Sequence, residues 1–119
     1  MFEISKEFHF SASHVLERLP ESHPCSRLHG HNYETVFFFE SECLNEVGFI
    51  IDYTELRTIK KFIDNNLDHR HLNDVMDVNP TAENIAKYLF DKFKSSYSQL
   101  SKVVVKETPK TMASYAAKG

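Results

Sequence analysis

The residues with the most chemical potential lie in one short stretch, Cys25-Ser26-Arg27-Leu28-His29-Gly30-His31. Two histidines separated by a single residue on a strand point to the same face, so their imidazoles can converge on one ion. Gly30 between them has no side chain to crowd the approach from the opposite face. Such a pair alone is equally compatible with two ordinary surface or core histidines. His14, upstream, offers a third nitrogen. Three neutral imidazoles with a fourth position open make the donor set of a catalytic zinc site rather than a structural one. Zinc suits that role because it polarises hydroxyls and carbonyls without changing oxidation state.

Cys25 stands a few residues before His29, and its neighbours His23, Pro24, Ser26 and Arg27 are polar, which argues against deep burial. A thiol close to a cation ionises more readily, and the thiolate serves as base or nucleophile. A cysteine at this spacing could instead be a fourth ligand that closes the site, and spacing leaves both readings open. Cys43, in Ser-Glu-Cys-Leu, reads as a small apolar residue. Asp68-His69 offers a carboxylate beside an imidazole, which can fix the tautomer and raise the basicity of the ring. Adjacent residues do not automatically face each other, so a solvated pair is the alternative. Arg70 and His71 read as solvated or structural, as do His9 and His23. Glu107, at the end of an apolar run, is either a strand-end charge or, facing a pocket, an acceptor of two parallel N–H bonds from a ring amidine such as guanine or pterin. Lys6, Arg27 and Lys106 could meet phosphates, but nothing in their spacing selects one.

These residues need elements to position them. Phe2, Ile4, Phe8 and Phe10 alternate with Glu3, Ser5, Glu7 and His9, the period of a half-buried strand. Residues 14–28, with two prolines and no regular period, read as a loop. From His29 to about Glu40 the chain is β-branched and aromatic, a second strand with Tyr33, Phe37 and Phe39 on one face and Val36 and Phe38 on the other. Such a strand calls for cover on both sides, by helices and by a neighbouring subunit. Phe49-Ile50-Ile51 reads as a short strand ending at Asp52. A helix capped by Asp52 or Thr54 follows, with the stripe Leu56, Ile59 and Phe62 or Ile63. Residues 64–80 read as irregular. A second helix starts near Thr81, with Ile85, Leu89 and Phe93 as its stripe and Glu83 at its positive end. Ser101–Thr108 and the tail 112–117 read as strands.

This order predicts an α+β single domain over residues 1–119, with two helices on one face of an antiparallel sheet. The absence of repeats, low-complexity stretches and linkers agrees. A composition of 41% hydrophobic and 26% charged residues is that of a soluble globular domain. A net charge of −3 gives no electrostatic reason to expect nucleic acid or an anionic membrane as partner. The longest apolar run, Val36 to Phe39, is far short of a span, and the first residues lack a signal-peptide pattern. Cys25 and Cys43 form neither a CxxC pair nor a disulfide framework, so a reducing, cytoplasmic setting is expected. The 10 Phe and 5 Tyr hint at association between copies.

Taken together, the motifs resemble the 6-pyruvoyl-tetrahydropterin synthase superfamily, and within it the bacterial 6-carboxytetrahydropterin synthase branch of queuosine biosynthesis. The resemblance runs through Phe8-x-Phe10-x-Ala12-x-His14, Cys25-x-x-x-His29-Gly30-His31-Asn32-Tyr33 and Gly48-Phe49-Ile50-Ile51-Asp52-Tyr53. It continues through Leu67-Asp68-His69-x-x-Leu72-Asn73, Asn79-Pro80-Thr81-x-Glu83-Asn84 and Glu107-Thr108. The resemblance implies the tunnelling fold (T-fold): a four-stranded antiparallel sheet with two helices on one face, assembled into an oligomeric barrel. It implies a homo-oligomer, a hexamer, with sites at subunit interfaces. It implies zinc held by His14, His29 and His31, proton transfer by Cys25, Asp68 and His69, and a pterin ring anchored on Glu107. Catalysis rather than ligation by Cys25 is thus favoured by resemblance, not by spacing.

The implied activity is a zinc-dependent lyase. It converts 7,8-dihydroneopterin triphosphate to 6-carboxytetrahydropterin, acetaldehyde and triphosphate. The three residues between Cys25 and the His-Gly-His triplet resemble the carboxy branch, whereas animal pyruvoyl synthases have a longer insertion there. The alternatives are a 6-pyruvoyl-tetrahydropterin synthase, which eliminates triphosphate without carbon–carbon cleavage, and a non-catalytic zinc- or pterin-binding module. The tail Met112-Ala113-Ser114-Tyr115 is a looser match.

Overall fold

The computed structural model describes residues 1–118. Two long strands, β1 (Phe2–His14) and β2 (His29–Ser41), form an antiparallel ladder that runs without a break from Phe2↔Ser41 to His14↔His29. Period-two alternation sends Phe8, Phe10, Ala12 and His14 of β1, and Tyr33, Thr35, Phe37 and Phe39 of β2, into the interior. The strand expected to give way to loop at residue 14 therefore carries His14 as its last paired residue. That alternation continues one step further than the sequence pattern, read from its phenylalanines, shows.

Two helices cover that inner face. Helix α1 (Arg57–Asn66) follows a 3-10 turn over Tyr53–Leu56, whose entry is capped by Asp52 accepting from the Thr54 N–H at 2.9 Å. Leu56, Ile59 and Ile63 are fully buried, as the stripe predicts, with Phe62 partly so. Helix α2 (Ala82–Phe93) is capped by Thr81, whose hydroxyl accepts from the Asn84 N–H at 3.1 Å. Its buried residues Ile85, Leu89 and Phe93 pack on the sheet. Phe37 meets Phe8 and Phe93 edge-on at 5.6 and 5.9 Å. Each such aromatic pair contributes about 0.5–1.5 kcal/mol beyond its area burial.

The sheet is completed by β3 (Arg70–His71), β4 (Leu100–Lys106) and β5 (Ala113–Ala116), in the order β3-β1-β2-β4-β5. It has five strands, not the expected four. The additional strand, β3, pairs in parallel with β1 through Ala12↔Arg70 and Ser13↔His71, inside the segment expected to be irregular. Helix α1 also extends into that segment, to Asn66. A two-residue parallel strand has no periodicity to read.

Conversely, Phe49–Ile51 is not a strand. Asn45 Oδ1 accepts the N–H groups of Val47, Gly48 and Phe49 at 3.0–3.1 Å, curling the chain into a closed loop. Gly48 sits there at φ 103, where a side chain would be strained. Ile50 and Ile51 are both buried, unlike the in-and-out alternation of a half-buried strand. On the outer face, Val36 and Phe38 remain half-exposed, with Lys102 Nζ 4.4 Å from the Phe38 ring centroid. Among the described residues no helix is long and apolar enough to cross a membrane.

Candidate metal centre and acid–base pair

The ladder alone brings three imidazoles together. His14 and His29 are direct cross-strand partners, and His31 lies two residues further on the same face, opposite Ala12. Only an alanine methyl stands where a larger residue would push His31 away. The ring centroids are 4.5 Å (His14–His29), 5.1 Å (His14–His31) and 5.0 Å (His29–His31) apart. One ring nitrogen from each lies within 4.8 Å of the others.

Carbonyl oxygens fix which nitrogen faces inward. His14 Nδ1 lies 2.7 Å from the Pro80 carbonyl, and His29 Nδ1 lies 2.7 Å from the Arg27 carbonyl. A carbonyl only accepts, so both Nδ1 atoms carry the proton and both Nε2 atoms present lone pairs. Those Nε2 atoms are 2.9 Å apart. Two lone pairs facing each other at this distance repel unless a cation lies between them. Nitrogens sharing a tetrahedral ion with bonds of about 2.0–2.1 Å sit roughly 3.3 Å apart. The donor set therefore fits a divalent ion of zinc type after an opening of a few tenths of an ångström.

Burial, the leading cause, pushes the His14 imidazole down towards its neutral, ligand-competent form, with the Pro80 carbonyl and Glu107 opposing. Tyr33, also fully buried, places its hydroxyl 3.3 Å from His14 Nδ1, stacks on Phe10, and has its phenol pushed up by burial.

Glu107 follows β4 directly and reaches this centre. Its Oε2 is 3.9 Å from His31 Nε2. It also lines a cleft of about 510 Å³ with Gly30, His31, Asn32 and Lys106. Gly30 is needed for a close approach as well: a Cβ there would meet the Ala12 carbonyl oxygen at 3.2 Å. Cys25 sits apart, half-buried in a 3-10 turn (Pro24–Ser26) that follows His23. His23 Nδ1 accepts the Cys25 N–H at 3.0 Å, and the Cys25 carbonyl accepts from Leu16 at 3.0 Å. Its sulfur is not a member of the converging donor group.

Asp68 and His69 face each other because of an unusual backbone. His69 has φ 59, the left-handed region that costs a residue with a Cβ roughly 1–2 kcal/mol. Its N–H is held by the Ser11 carbonyl at 2.6 Å, and Asp68 Oδ1 accepts the Ser11 N–H at 2.8 Å. The other carboxylate oxygen, Oδ2, lies 2.9 Å from His69 Nδ1. The Ser11 N–H, more than His69, holds the Asp68 carboxyl below the usual carboxylate range, so it stays ionised and orients the ring. The His69 side chain is 83% exposed. It lines an open cavity of about 490 Å³ with Ser11, Ser13, His31, Asn32 and His71. Because His31 of the imidazole group also lines it, this cavity borders both the three imidazoles and the Asp68–His69 pair.

The structure thus joins His14, His29, His31 and Glu107, and separately Asp68 and His69, with Cys25 in neither group. Sequence reasoning missed Pro80, Tyr33 and Ser11 as partners of these groups. Pro80 lay inside a quoted motif, but its partner His14 is 66 residues away and no local pattern links them.

Comparison with known proteins adds the following. The family model described as 6-pyruvoyl tetrahydropterin synthase matches residues 3–118. The chain is 32% identical to the 6-carboxy-5,6,7,8-tetrahydropterin synthase of Bacillus subtilis, over 98% of this chain and 86% of that protein. It is 35% identical to the dihydroneopterin monophosphate aldolase of Pyrococcus furiosus, over 58% of each chain. The solved structure of Caenorhabditis elegans 6-pyruvoyl tetrahydropterin synthase superposes with a TM-score of 0.86 at 29% identity, covering 98% of this chain and 96% of that one.

Proposed function

This chain belongs to the 6-pyruvoyl tetrahydropterin synthase family, and on that premise we propose that it is a zinc-dependent 6-carboxytetrahydropterin synthase. It takes 7,8-dihydroneopterin triphosphate and water to 6-carboxytetrahydropterin, acetaldehyde and triphosphate, as a cytoplasmic step of queuosine biosynthesis. The reading is carried by one observation: two imidazoles, each with its Nδ1–H committed to a carbonyl, aim their Nε2 lone pairs at one point beside a third.

His14, His29 and His31 would hold the ion. Bound there, zinc supplies Lewis acidity towards the hydroxyls and carbonyls of the substrate side chain. Glu107 accepts two N–H bonds from the pterin ring and sets the side chain beside the metal centre. Cys25, as thiolate, takes a carbon-bound proton from that side chain. His69, oriented by the Asp68 carboxylate, relays or returns a proton, and triphosphate leaves. Water adds to the side-chain carbonyl next to the ring; the carbon–carbon bond then breaks, which leaves a carboxyl on the ring and, after a proton is taken up, releases the other two carbons as acetaldehyde.

The His69 side chain is 83% exposed, and a proton-transfer group that needs shelter from solvent favours a homo-oligomer whose sites lie between subunits. In such an assembly the acid–base pair of one subunit faces the metal centre of another. Val36 and Phe38, apolar and half-exposed on the outer face of the sheet, also favour cover by neighbouring copies.

Product analysis tests the assignment. Purified protein holding about one zinc per chain should consume dihydroneopterin triphosphate and release acetaldehyde in step with triphosphate. Triphosphate without acetaldehyde would assign the pyruvoyl product, the reading that similarity to the nematode structure favours. Metal at full occupancy with no consumption of substrate would leave a binding module and end the enzymatic assignment.

A further inference from the structure

The metal centre depends on contacts between parts of the chain that are far apart in sequence. His14 ends β1, and beyond it no strand partners residues 15–17. Two asparagines take the place of a strand. Asn73 Oδ1 accepts the Val15 N–H at 2.8 Å, while its Nδ2 donates to the Val15 carbonyl at 2.8 Å. Asn79 treats Glu17 identically, at 2.8 Å for each bond. A side-chain amide offers one acceptor and two donors, so each asparagine reproduces the paired N–H and C=O bonds of an antiparallel ladder at a single residue.

The placement of the two clamps matters more than their number. Asn73 grips the residue directly after His14, and Asn79 directly precedes Pro80, whose carbonyl holds His14 Nδ1. The Asn79 backbone is itself fixed, because its carbonyl accepts from the Thr81 N–H at 2.8 Å and from Asn84 Nδ2 at 2.9 Å. One clamp therefore sets where the imidazole begins, and the other sets where the carbonyl that orients it sits. A change in register between 14–17 and 73–80 would rotate the Nε2 lone pair away from His29.

We propose that Asn73 and Asn79 are the positioning residues that set the metal affinity of the three-imidazole centre, a proposal that rests on that centre taking a divalent ion. Neither touches the ion; both act through His14. A group bonded directly to a ligand, as the Pro80 carbonyl is to His14, is worth about 10- to 100-fold in metal affinity, and the asparagines act by fixing that pair.

The test uses Asn79→Asp and Asn73→Asp, which keep the shape and the acceptor but turn a donor towards a carbonyl into a repelling oxygen. Zinc affinity of the metal-free, folded protein is measured by competition with a chromophoric chelator. Apo melting and the visible bands of the cobalt-loaded protein are recorded alongside. Asn45→Ala serves as the stability control, since Asn45 caps a remote turn through three backbone bonds. The expected result is a 10- to 100-fold weaker zinc affinity in both aspartate variants with shifted cobalt bands, and wild-type affinity and bands in Asn45→Ala even where it melts earlier. Unchanged affinity in the aspartate variants would overturn the proposal while leaving the metal centre intact. So would a loss of affinity in all three variants that merely tracks their loss of stability. Wild-type protein that binds neither zinc nor cobalt would overturn the metal reading and this proposal with it.

Discussion

The three imidazoles and the Asp68–His69 pair are built from similar residues and differ in almost every physical respect. The first group is anchored in the core: His14 has no exposed surface and Tyr33 backs it, His29 and His31 are half-buried, and carbonyls of the chain fix the tautomers of His14 and His29. The second is ordered but open, with an ionised carboxylate gripping an imidazole that is 83% exposed. A metal centre must be preorganised and shielded to hold donors that would otherwise take up protons or water. A proton-transfer group must reach a reacting atom, and an exposed one needs a second surface to exclude solvent. One chain therefore supplies a preorganised set of three imidazole donors and an open carboxylate–imidazole pair, which on the proposed function are a metal centre and an acid–base pair.

His29→Ala gives the sharpest test of this contrast, because it removes a donor from the anchored group. Metal content should fall from about one ion per chain towards zero, and turnover should drop by more than about 10³-fold. Metal analysis of gel-filtered protein, with steady-state turnover, checks it, and a fully loaded, active variant would remove the distinction. His69→Gln comes next. It should lower kcat by about 10²–10⁴-fold, while metal content and melting temperature stay at wild-type values, since so exposed a side chain contributes little packing. A loss of metal here would mean that the two groups are one.

Asp68→Asn keeps an oxygen for the Ser11 N–H but withdraws the charge that orients His69. Its kcat should fall by less than that of His69→Gln, roughly 10- to 100-fold on the scale of general acid–base effects, and an equal or larger fall in steady-state turnover would mean that the carboxylate does more than orient the ring. The smallest effect is expected from Tyr33→Phe. The ring and its stacking on Phe10 are kept, and His14 retains its shorter bond to Pro80. Zinc affinity should weaken by no more than about tenfold, the lower end for a residue that supports a ligand; a larger loss by chelator competition would make the hydroxyl, not the carbonyl, the principal support of His14.

Much of this arrangement was legible before any fold was known. The stripes at Leu56, Ile59 and Ile63, and at Ile85, Leu89 and Phe93, place both helices, and the alternation through Phe8 and Phe10 carries on to Ala12 and His14. Histidines two apart on a strand must share a face, so the convergence of His29 and His31 follows from strand geometry alone. The misreadings have a common cause. Phe49–Ile51 has strand composition, but a single asparagine at position 45 captures three of the local N–H groups and closes a loop. Strand β3 has too few residues for a period, and exists because Ala12 and Ser13 present an unpaired edge.

Residue types and spacings by themselves determined the helix faces, the strand alternation and the donor atoms available to an ion, because each depends on periodicities of a few residues. Only the tertiary structure decided which carbonyl fixes His14, which asparagines hold the chain beyond it, and how Ser11 holds the Asp68–His69 pair. Those contacts join residues 57 to 66 positions apart. Such pairings leave no local trace, since their energy is realised only once the intervening chain has packed.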